Sequence, residues 1–152
     1  MMLAKYRKVA VITRTKNRKI LLRRALESVC GQTFQDFMWV VVNDGGDREE
    51  VDRIVEEARK RNCEAVVVHH EKSLGMEAAS NAGIAAGDSE YVVIHDDDDS
   101  WEPAFLEKTV AFLDSERLFD GDVFLFCASR FVPDTAVKTG DVRMAQYQLN
   151  RE

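Results

Sequence analysis

The chain has 152 residues, of which 45% are hydrophobic and 32% are charged, and its formal net charge is −6. This length fits one domain with a substantial core, and the acidic balance argues against a nucleic-acid polymer as partner, because no basic stripe is available for its phosphates. The three cysteines (Cys30, Cys63 and Cys127) form no CxxC pair, so neither a zinc site nor a disulfide framework is indicated. No apolar run approaches the roughly 20 residues of a transmembrane segment, so we expect a cytoplasmic protein or one peripheral to the membrane.

Strand and helix patterns alternate from the start of the chain. Residues 8–14 (KVAVITR) predict a buried strand, and residues 18–31 carry apolar side chains on one helical face. Residues 37–43 (FMWVVVN) predict a second strand. An amphipathic helix follows, with Val51, Ile54, Val55 and Ala58 at helical spacing.

The same alternation continues in the second half of the chain. Strands are predicted over residues 64–70, 90–95 and 122–132, and helices over 76–87 and 101–116. The first of these helices has a stripe of small residues (Ala79, Ala82, Gly83 and Ala86), which favours close packing on a sheet. The Val/Ile-rich strands between helices predict an α/β fold with a mainly parallel sheet covered on both faces. The pattern ends after Pro133, so residues 1–132 are the predicted domain and residues 133–152 a tail or the start of another segment.

Ligands of open parallel sheets bind at the carboxyl ends of the strands, so the loops after the strands are the candidate site. These loops are polar and acidic, and they cover residues 14–18, 43–47, 70–75 and 96–99. The first loop contains no glycine and the chain contains no G-x-x-x-x-G-K-[ST]. A dinucleotide fingerprint and a P-loop are therefore excluded, and bound phosphate would need another source of positive charge.

Four consecutive aspartates, Asp96–Asp99, follow the fourth strand. One interpretation is a solvated turn with Asp99 or Ser100 as the N-cap of the next helix. The other is a cation site, since hard oxygen ligands suit Mg²⁺ or Mn²⁺ and alternate side chains of an extended segment would bring Asp96 and Asp98 together. An EF-hand is excluded because Trp101 stands where that loop requires glycine.

Three stretches of the chain, read in order, resemble the family 2 inverting glycosyltransferases, which have the GT-A fold and use nucleotide-diphosphate sugars. VAVITRTKNR (9–18) resembles the first strand and its Pro-Thr-Tyr-Asn-Arg end. LLRRALESVCGQTFQDFMWVVVNDGGD (21–47) resembles the Ser-x-x-x-Gln-Thr helix end and the Asp-Asp-Gly-Ser loop. SLGMEAASNAGIAAGDSEYVVIHDDDDSWEP (73–103) resembles the Ala-Arg-Asn-x-Gly helix and the Asp-x-Asp-Asp metal motif. The resemblance implies a Rossmann-like nucleotide-binding half with strand order near 3-2-1-4, truncated before the acceptor segment.

The resemblance also implies roles for individual residues. Asp44 would accept a hydrogen bond from the base, usually uracil, and Thr15 and its neighbours would line the base and ribose. Asp98 would be the principal ligand of Mn²⁺ or Mg²⁺. The residues expected to bind the nucleotide sugar are Thr13, Arg14, Thr15, Asn17, Asp44, Asn81, Asp96 and Asp97, and the expected metal ligands are Asp96 and Asp98.

Several positions depart from the family pattern. Arg14 replaces a proline, Lys16 an aromatic residue, Asn43 the first Asp of its loop, and Ser80 an arginine. No general base is identifiable, because the family's base lies in a later segment.

The resulting prediction is metal-dependent transfer of a sugar, from a UDP-sugar by preference, to an unknown saccharide, lipid or protein. The alternative is a non-catalytic nucleotide-sugar-binding domain or fragment that lacks the base. A nucleotidyltransferase fits less well, because the Gly-rich first loop of those enzymes is absent.

Overall fold

The computed structural model of the protein describes residues 5–115 and the backbone of residues 124–127. Strands and helices alternate through these residues, as the periodicity predicts. The elements are β1 (Arg7–Thr15), α1 (Lys19–Cys30), β2 (Phe37–Asp44), α2 (Arg48–Lys60), β3 (Ala65–His70), α3 (Met76–Ala86), β4 (Ser89–Ile94), α4 (Phe105–Ser115) and β5 (Phe124–Cys127).

The strands form one sheet in the order β3-β2-β1-β4-β5, and every neighbouring pair is parallel. β1 is central, with Val11 opposite Trp39 of β2 and opposite Val93 of β4. The predicted parallel sheet and the order 3-2-1-4 are confirmed. Because the strands share one direction, the loops that follow β1, β2, β3 and β4 meet at one edge of the sheet.

Helices cover both faces of the sheet. Alternate residues of β1 point to opposite sides, so Val9 and Val11 pack with α1, α2 and α4, whereas Ala10 and Ile12 pack with α3. All eight residues of β2 are buried. Burial on both faces explains why these strands are continuous apolar runs rather than alternating ones.

The small-residue stripe brings α3 very close to the sheet, as the sequence predicts. A Cβ atom at Gly83 would lie 2.4 Å from Ile12 Cγ2 and 3.1 Å from Val42 Cγ2. Ile12 is fully buried and has little room to move. Glycine is therefore required at this position by contact rather than by backbone conformation.

Replacing Gly83 with alanine is expected to lower the free energy of unfolding by about 1–2 kcal/mol, because overpacking outweighs the better helix propensity of alanine. Urea unfolding measures the change. Ala85→Gly, at an exposed position of the same helix, measures the difference in helix propensity between alanine and glycine without a change in core packing. A Gly83→Ala protein more stable than the wild type would contradict the close contact.

The main difference from the predicted elements is the start of α4. The helix begins at Phe105 rather than at residue 101, so neither Asp99 nor Ser100 is its N-cap. Residues 103 and 104 instead form a turn before the helix, and Gln32 Oε1 accepts the backbone N–H of Leu106 at 3.0 Å. That capping residue lies far away in the sequence, which is why local pattern does not reveal it.

Two further predictions concern residues that lie partly or wholly outside the described part of the chain. Only 124–127 of the strand predicted over 122–132 is described, and residues 133–152 lie outside the described part, so the proposed boundary at residue 132 stays a prediction. Within the described part, no helix is both long enough and apolar enough to cross a membrane.

Candidate functional site

A cavity of about 350 Å³ opens at the edge of the sheet where the strands end. The loops after β1, β2 and β4 contribute to it, together with the loop before α3 and the first turn of that helix. This is the position that the fold predicts for a ligand. The cavity is lined by Arg14, Thr15, Lys16, Arg18, Asp44, Ser73, Gly75, Met76, Ala79, Asp96, Asp97 and Asp98.

The acidic run forms a turn rather than an extended segment. The N–H of Asp99 donates to the Asp96 carbonyl at 2.9 Å, and the Asp99 side chain accepts the N–H of Asp96 at 3.2 Å. The expected alternation of Asp96 and Asp98 along a strand is therefore wrong, because β4 ends at Ile94. The turn nevertheless brings Asp96, Asp97 and Asp98 to the cavity wall.

Two arginines, one near the end of β1 and one in the loop after it, offset the repulsion within the acidic run. Arg14 forms an ion pair with Asp96, and Arg18 contacts Asp97 Oδ1 at 2.9 Å and Asp98 Oδ2 at 3.5 Å. Burial raises the pKa of Asp97, although the Thr15 hydroxyl donates to its carboxylate at 2.9 Å. The site therefore contains cations as well as acids, and it suits a ligand that presents both phosphates and a metal.

Asp44 is held by the loop between β3 and α3. One carboxylate oxygen accepts the N–H of Leu74 at 2.9 Å and lies 2.8 Å from His70 Nδ1, and the other accepts the Ser73 hydroxyl at 2.7 Å and the N–H of Gly75 at 3.2 Å. Burial alone would raise the pKa of Asp44, but these hydrogen bonds outweigh it and hold the pKa well below its usual range. Four protein groups contact a carboxylate that offers about four lone pairs, so a base N–H would have to share an oxygen.

Three residues expected to bind the nucleotide sugar do not line this cavity. Thr13 is fully buried and accepts the indole N–H of Trp39 at 2.8 Å, because strand alternation turns it toward the core. Asn17 accepts the N–H of Asp47 at 2.9 Å and lines a smaller adjoining cavity of about 240 Å³. Asn81 is exposed on α3. The other expected residues, namely Arg14, Thr15, Asp44, Asp96, Asp97 and Asp98, come together at the cavity.

Six residues of the wall are not among the expected site residues: Lys16, Arg18, Ser73, Gly75, Met76 and Ala79. Ser73 and Gly75 lie in the SLG segment that begins the third matched stretch, which was a signal for them. Met76 is 62% exposed at the mouth of the cavity. Its role depends on the path of the loop, which the sequence does not specify.

The end of α1 fixes the segment that follows the acidic run. Ser28 Oγ accepts the N–H of Trp101 at 2.8 Å and lies 3.1 Å from His95 Nε2. Gln32, one turn later, donates to the Glu102 carbonyl at 2.9 Å. Burial lowers the pKa of His95 to about 4, so this histidine is neutral near pH 7. The Ser-x-x-x-Gln pattern therefore acts as a support beneath the acidic loop.

The donor set suits a hard divalent cation that is shared with a ligand. Within residues 5–115, no three or more His, Cys, Asp or Glu side chains surround a common metal position. Mg²⁺ and Mn²⁺ sites that carry phosphates commonly use only one or two protein carboxylates. Asp98, whose side chain is 54% exposed at the cavity, can supply one of them. The residues thus fit a metal held jointly with a diphosphate and not a closed protein cage.

Known proteins share both the sequence and the fold. A family profile described as Glycosyl transferase family 2 matches residues 10–135. An uncharacterized glycosyltransferase of Methanocaldococcus jannaschii is 27% identical over 113 residues, which are 74% of this chain and 39% of that protein. The uncharacterized glycosyltransferase YwdF of Bacillus subtilis is 30% identical over 115 residues, which are 76% of this chain and 41% of that protein. The chain thus spans about two-fifths of the length of these relatives.

Solved structures of glycosyltransferases have a similar fold. TarS of S. aureus, solved alone and with UDP, has a TM-score of 0.66 and 27% identity, covering 72% of this chain and 33% of that one. The mannosyltransferase PcManGT from Pyrobaculum calidifontis, solved with GDP-Man and Mn²⁺, has a TM-score of 0.64 over 72% of this chain and 33% of that one; at 24% identity it supports the fold alone. This chain therefore belongs to glycosyl transferase family 2 and has the parallel sheet of the GT-A fold.

Proposed function

We propose that the chain is the donor-binding part of an inverting, metal-dependent glycosyltransferase that takes a nucleotide-diphosphate sugar, with a UDP-sugar favoured. The observation that carries this proposal is the cavity where Asp96–Asp98 lie beside Arg14, Lys16 and Arg18 at the strand ends. Carboxylates to hold a metal and guanidinium groups to bind phosphate are what a diphosphate ligand requires. TarS was solved with UDP and with UDP-GlcNAc, which supports the preference for uridine.

Different cavity residues would bind different parts of the donor. Asp98, with Asp96 as second ligand, would hold Mn²⁺ or Mg²⁺, and Arg18 would bind the diphosphate. Asp44 would shape the loop at the base and ribose and share one oxygen with the base. When bound, the metal would supply positive charge that stabilises the departing nucleoside diphosphate. The acceptor, a saccharide, a lipid or a protein hydroxyl, would attack from the open side of the cavity.

Thermal unfolding with UDP-, GDP- and dTDP-sugars, each with and without Mn²⁺, tests the proposal. At a hundredfold excess over Kd, a bound ligand adds about 2.7 kcal/mol to the free energy of unfolding, or about 5–10 °C in Tm for this size of protein. We expect this shift with a UDP-sugar only when Mn²⁺ is present.

Asp98→Asn is expected to abolish that shift, because it removes the exposed carboxylate with little change in shape. Glu56→Gln, at an exposed position of α2, makes the same change of charge away from the cavity and serves as the control. A wild-type protein whose Tm is unaffected by every combination of sugar nucleotide and metal would refute the proposal.

A second candidate is a nucleotide-sugar-binding unit without catalysis of its own. The similarity to TarS covers only 33% of that chain, and no general base is assigned in this one. Transfer and hydrolysis assays with a radiolabelled UDP-sugar separate the two candidates, because a binding unit would retain the sugar nucleotide intact.

A further inference from the structure

The Arg14 guanidinium group is hydrogen-bonded to the carboxylate of Asp96, which is expected to be the second metal ligand. Its Nε donates to Asp96 Oδ1 at 3.1 Å, and its Nη2 donates to the same oxygen. The two side chains are only 14% and 23% exposed. In this arrangement Asp96 Oδ1 already accepts two N–H groups from a cation, so little of its charge is available to another.

A helix on the other side of the cavity fixes the guanidinium group. Arg14 Nη1 donates to Ser80 Oγ at 3.2 Å, and Ser80 in turn donates to the Met76 carbonyl at 2.9 Å. Arg14 therefore bridges the end of β4 and the first turns of α3. An arginine held at three nitrogens has a defined direction, unlike a flexible surface cation.

Asp98 is more exposed than Asp96 and has a longer contact with its arginine partner. Its nearest described cation is Arg18, at 3.5 Å, and its side chain is 54% exposed. A divalent ion can therefore approach Asp98 without breaking a close ion pair, whereas it can reach Asp96 Oδ1 only if Arg14 withdraws. A diphosphate offers Arg14 two oxygens in the planar geometry that a guanidinium group prefers.

We propose that Arg14 pairs with Asp96 in the free protein and pairs instead with the donor's diphosphate once Asp96 is released to serve as a metal ligand. This inference rests on the proposed function of the cavity, and it makes Arg14 a residue that couples metal binding to nucleotide binding. Metal alone and nucleotide alone then bind weakly, while each strengthens the other by the same factor, since such coupling is reciprocal.

The test measures Mn²⁺ binding to the full 152-residue chain by electron paramagnetic resonance of the free ion, with and without UDP. Arg14→Met is expected to tighten the binding of Mn²⁺ alone by about fivefold or more, because a charge-assisted pair is lost. The same variant is expected to bind UDP more weakly, so that the factor by which UDP strengthens Mn²⁺ binding falls toward one. Ser80→Ala, which loosens Arg14 without removing its charge, is expected to change both quantities in the same direction by less.

Arg53→Met is the matched control, since it removes one positive charge from an exposed ion pair on α2. If it tightens Mn²⁺ binding as much as Arg14→Met does, the effect is one of net charge and the inference is overturned. Unchanged Mn²⁺ binding in both Arg14→Met and Ser80→Ala also overturns it. If the wild-type chain binds neither Mn²⁺ nor UDP, the proposed function fails first, which is a result distinct from either of these.

Discussion

Replacing Asp44 with asparagine is expected to lower the free energy of unfolding by about 2–4 kcal/mol at pH 7, because hydrogen bonds to a charged group contribute more than neutral ones. Asparagine has the same shape, but its NH2 group stands where the carboxylate has an accepting oxygen. That NH2 group would face N–H and O–H donors and could not accept from them. The Ser73 hydroxyl and the N–H of Gly75 share the oxygen Oδ2, so one orientation of the amide leaves both without an acceptor.

The effect has a defined dependence on pH. The folded protein holds the pKa of Asp44 below that of the unfolded chain, which is about 4. As the pH falls below about 4, the unfolded state takes up a proton that the folded state does not, so the stabilisation is lost progressively. The difference between wild type and Asp44→Asn is therefore expected to be full at pH 7 and smaller at pH 3.

Urea unfolding over this pH range measures both effects. Asp36→Asn, at a carboxylate that is 58% exposed and 3.6 Å from Arg7, is the control, and we expect it to cost less than about 1 kcal/mol. A loss at Asp44 no larger than the loss at Asp36, or one that is equal at pH 3 and pH 7, would contradict the role of the carboxylate. The loop that Asp44 holds also lines the cavity, so UDP binding is expected to weaken in the same variant.

The order of elements and the edge that carries the site follow from the sequence by simple rules. Strands buried on both faces are continuous apolar runs, as in FMWVVV (37–42), and the helices between them show a period near 3.6. Once the strands are parallel, their carboxyl ends share an edge, and the polar loops must lie there. The resemblance supplied the strand order, which periodicity does not contain.

The direction of individual side chains was harder to predict. Thr13 and Arg14 are neighbours in the chain, yet one binds Trp39 in the core and the other lines the cavity. From the sequence we expect both to bind the nucleotide sugar, whereas the alternation of side chains along β1, which continues to Thr15, separates them. The alternation within the strand thus decides which residues near its end face the core and which line the cavity.

The ionic contacts of the cavity could not be predicted because they join distant parts of the chain. Arg14 and Asp96 are 82 positions apart, and the acidic run alone gives no sign that a guanidinium group already faces it. The sequence predicts that Arg14 binds the nucleotide sugar and shows that it replaces a usual proline, but it does not identify Asp96 as its partner. Its pairing with Asp96 depends on β1 and β4 being neighbours in a register that places Ile12 opposite Ile94, which is a property of the assembled sheet.

Replacing Gly45 with alanine is expected to destabilise the protein by about 3 kcal/mol or more, since two costs combine at this position. Its φ of +84° is unfavourable for any residue with a side chain, and a Cβ atom would lie 2.5 Å from the backbone nitrogen of Ser73. The atom in the way is backbone, so it moves only if the whole loop shifts. That loop is the one that donates three hydrogen bonds to Asp44, so its displacement would also weaken the neighbouring site.

Gly75→Ala separates the two costs, and urea unfolding of both variants measures them. Gly75 also has a positive φ, of +99°, but the nearest atom to a Cβ there is Glu77 Oε2 at 3.9 Å, so its substitution adds backbone strain without overlap. We expect Gly75→Ala to cost about 1–2 kcal/mol, less than Gly45→Ala. Equal losses in the free energy of unfolding would mean that backbone strain alone accounts for the effect at Gly45. The loop after β3 would then move easily to make room for the added Cβ atom. A larger loss at Gly45 would mean that the two loops are held as one unit, with the carboxylate of Asp44 joining them.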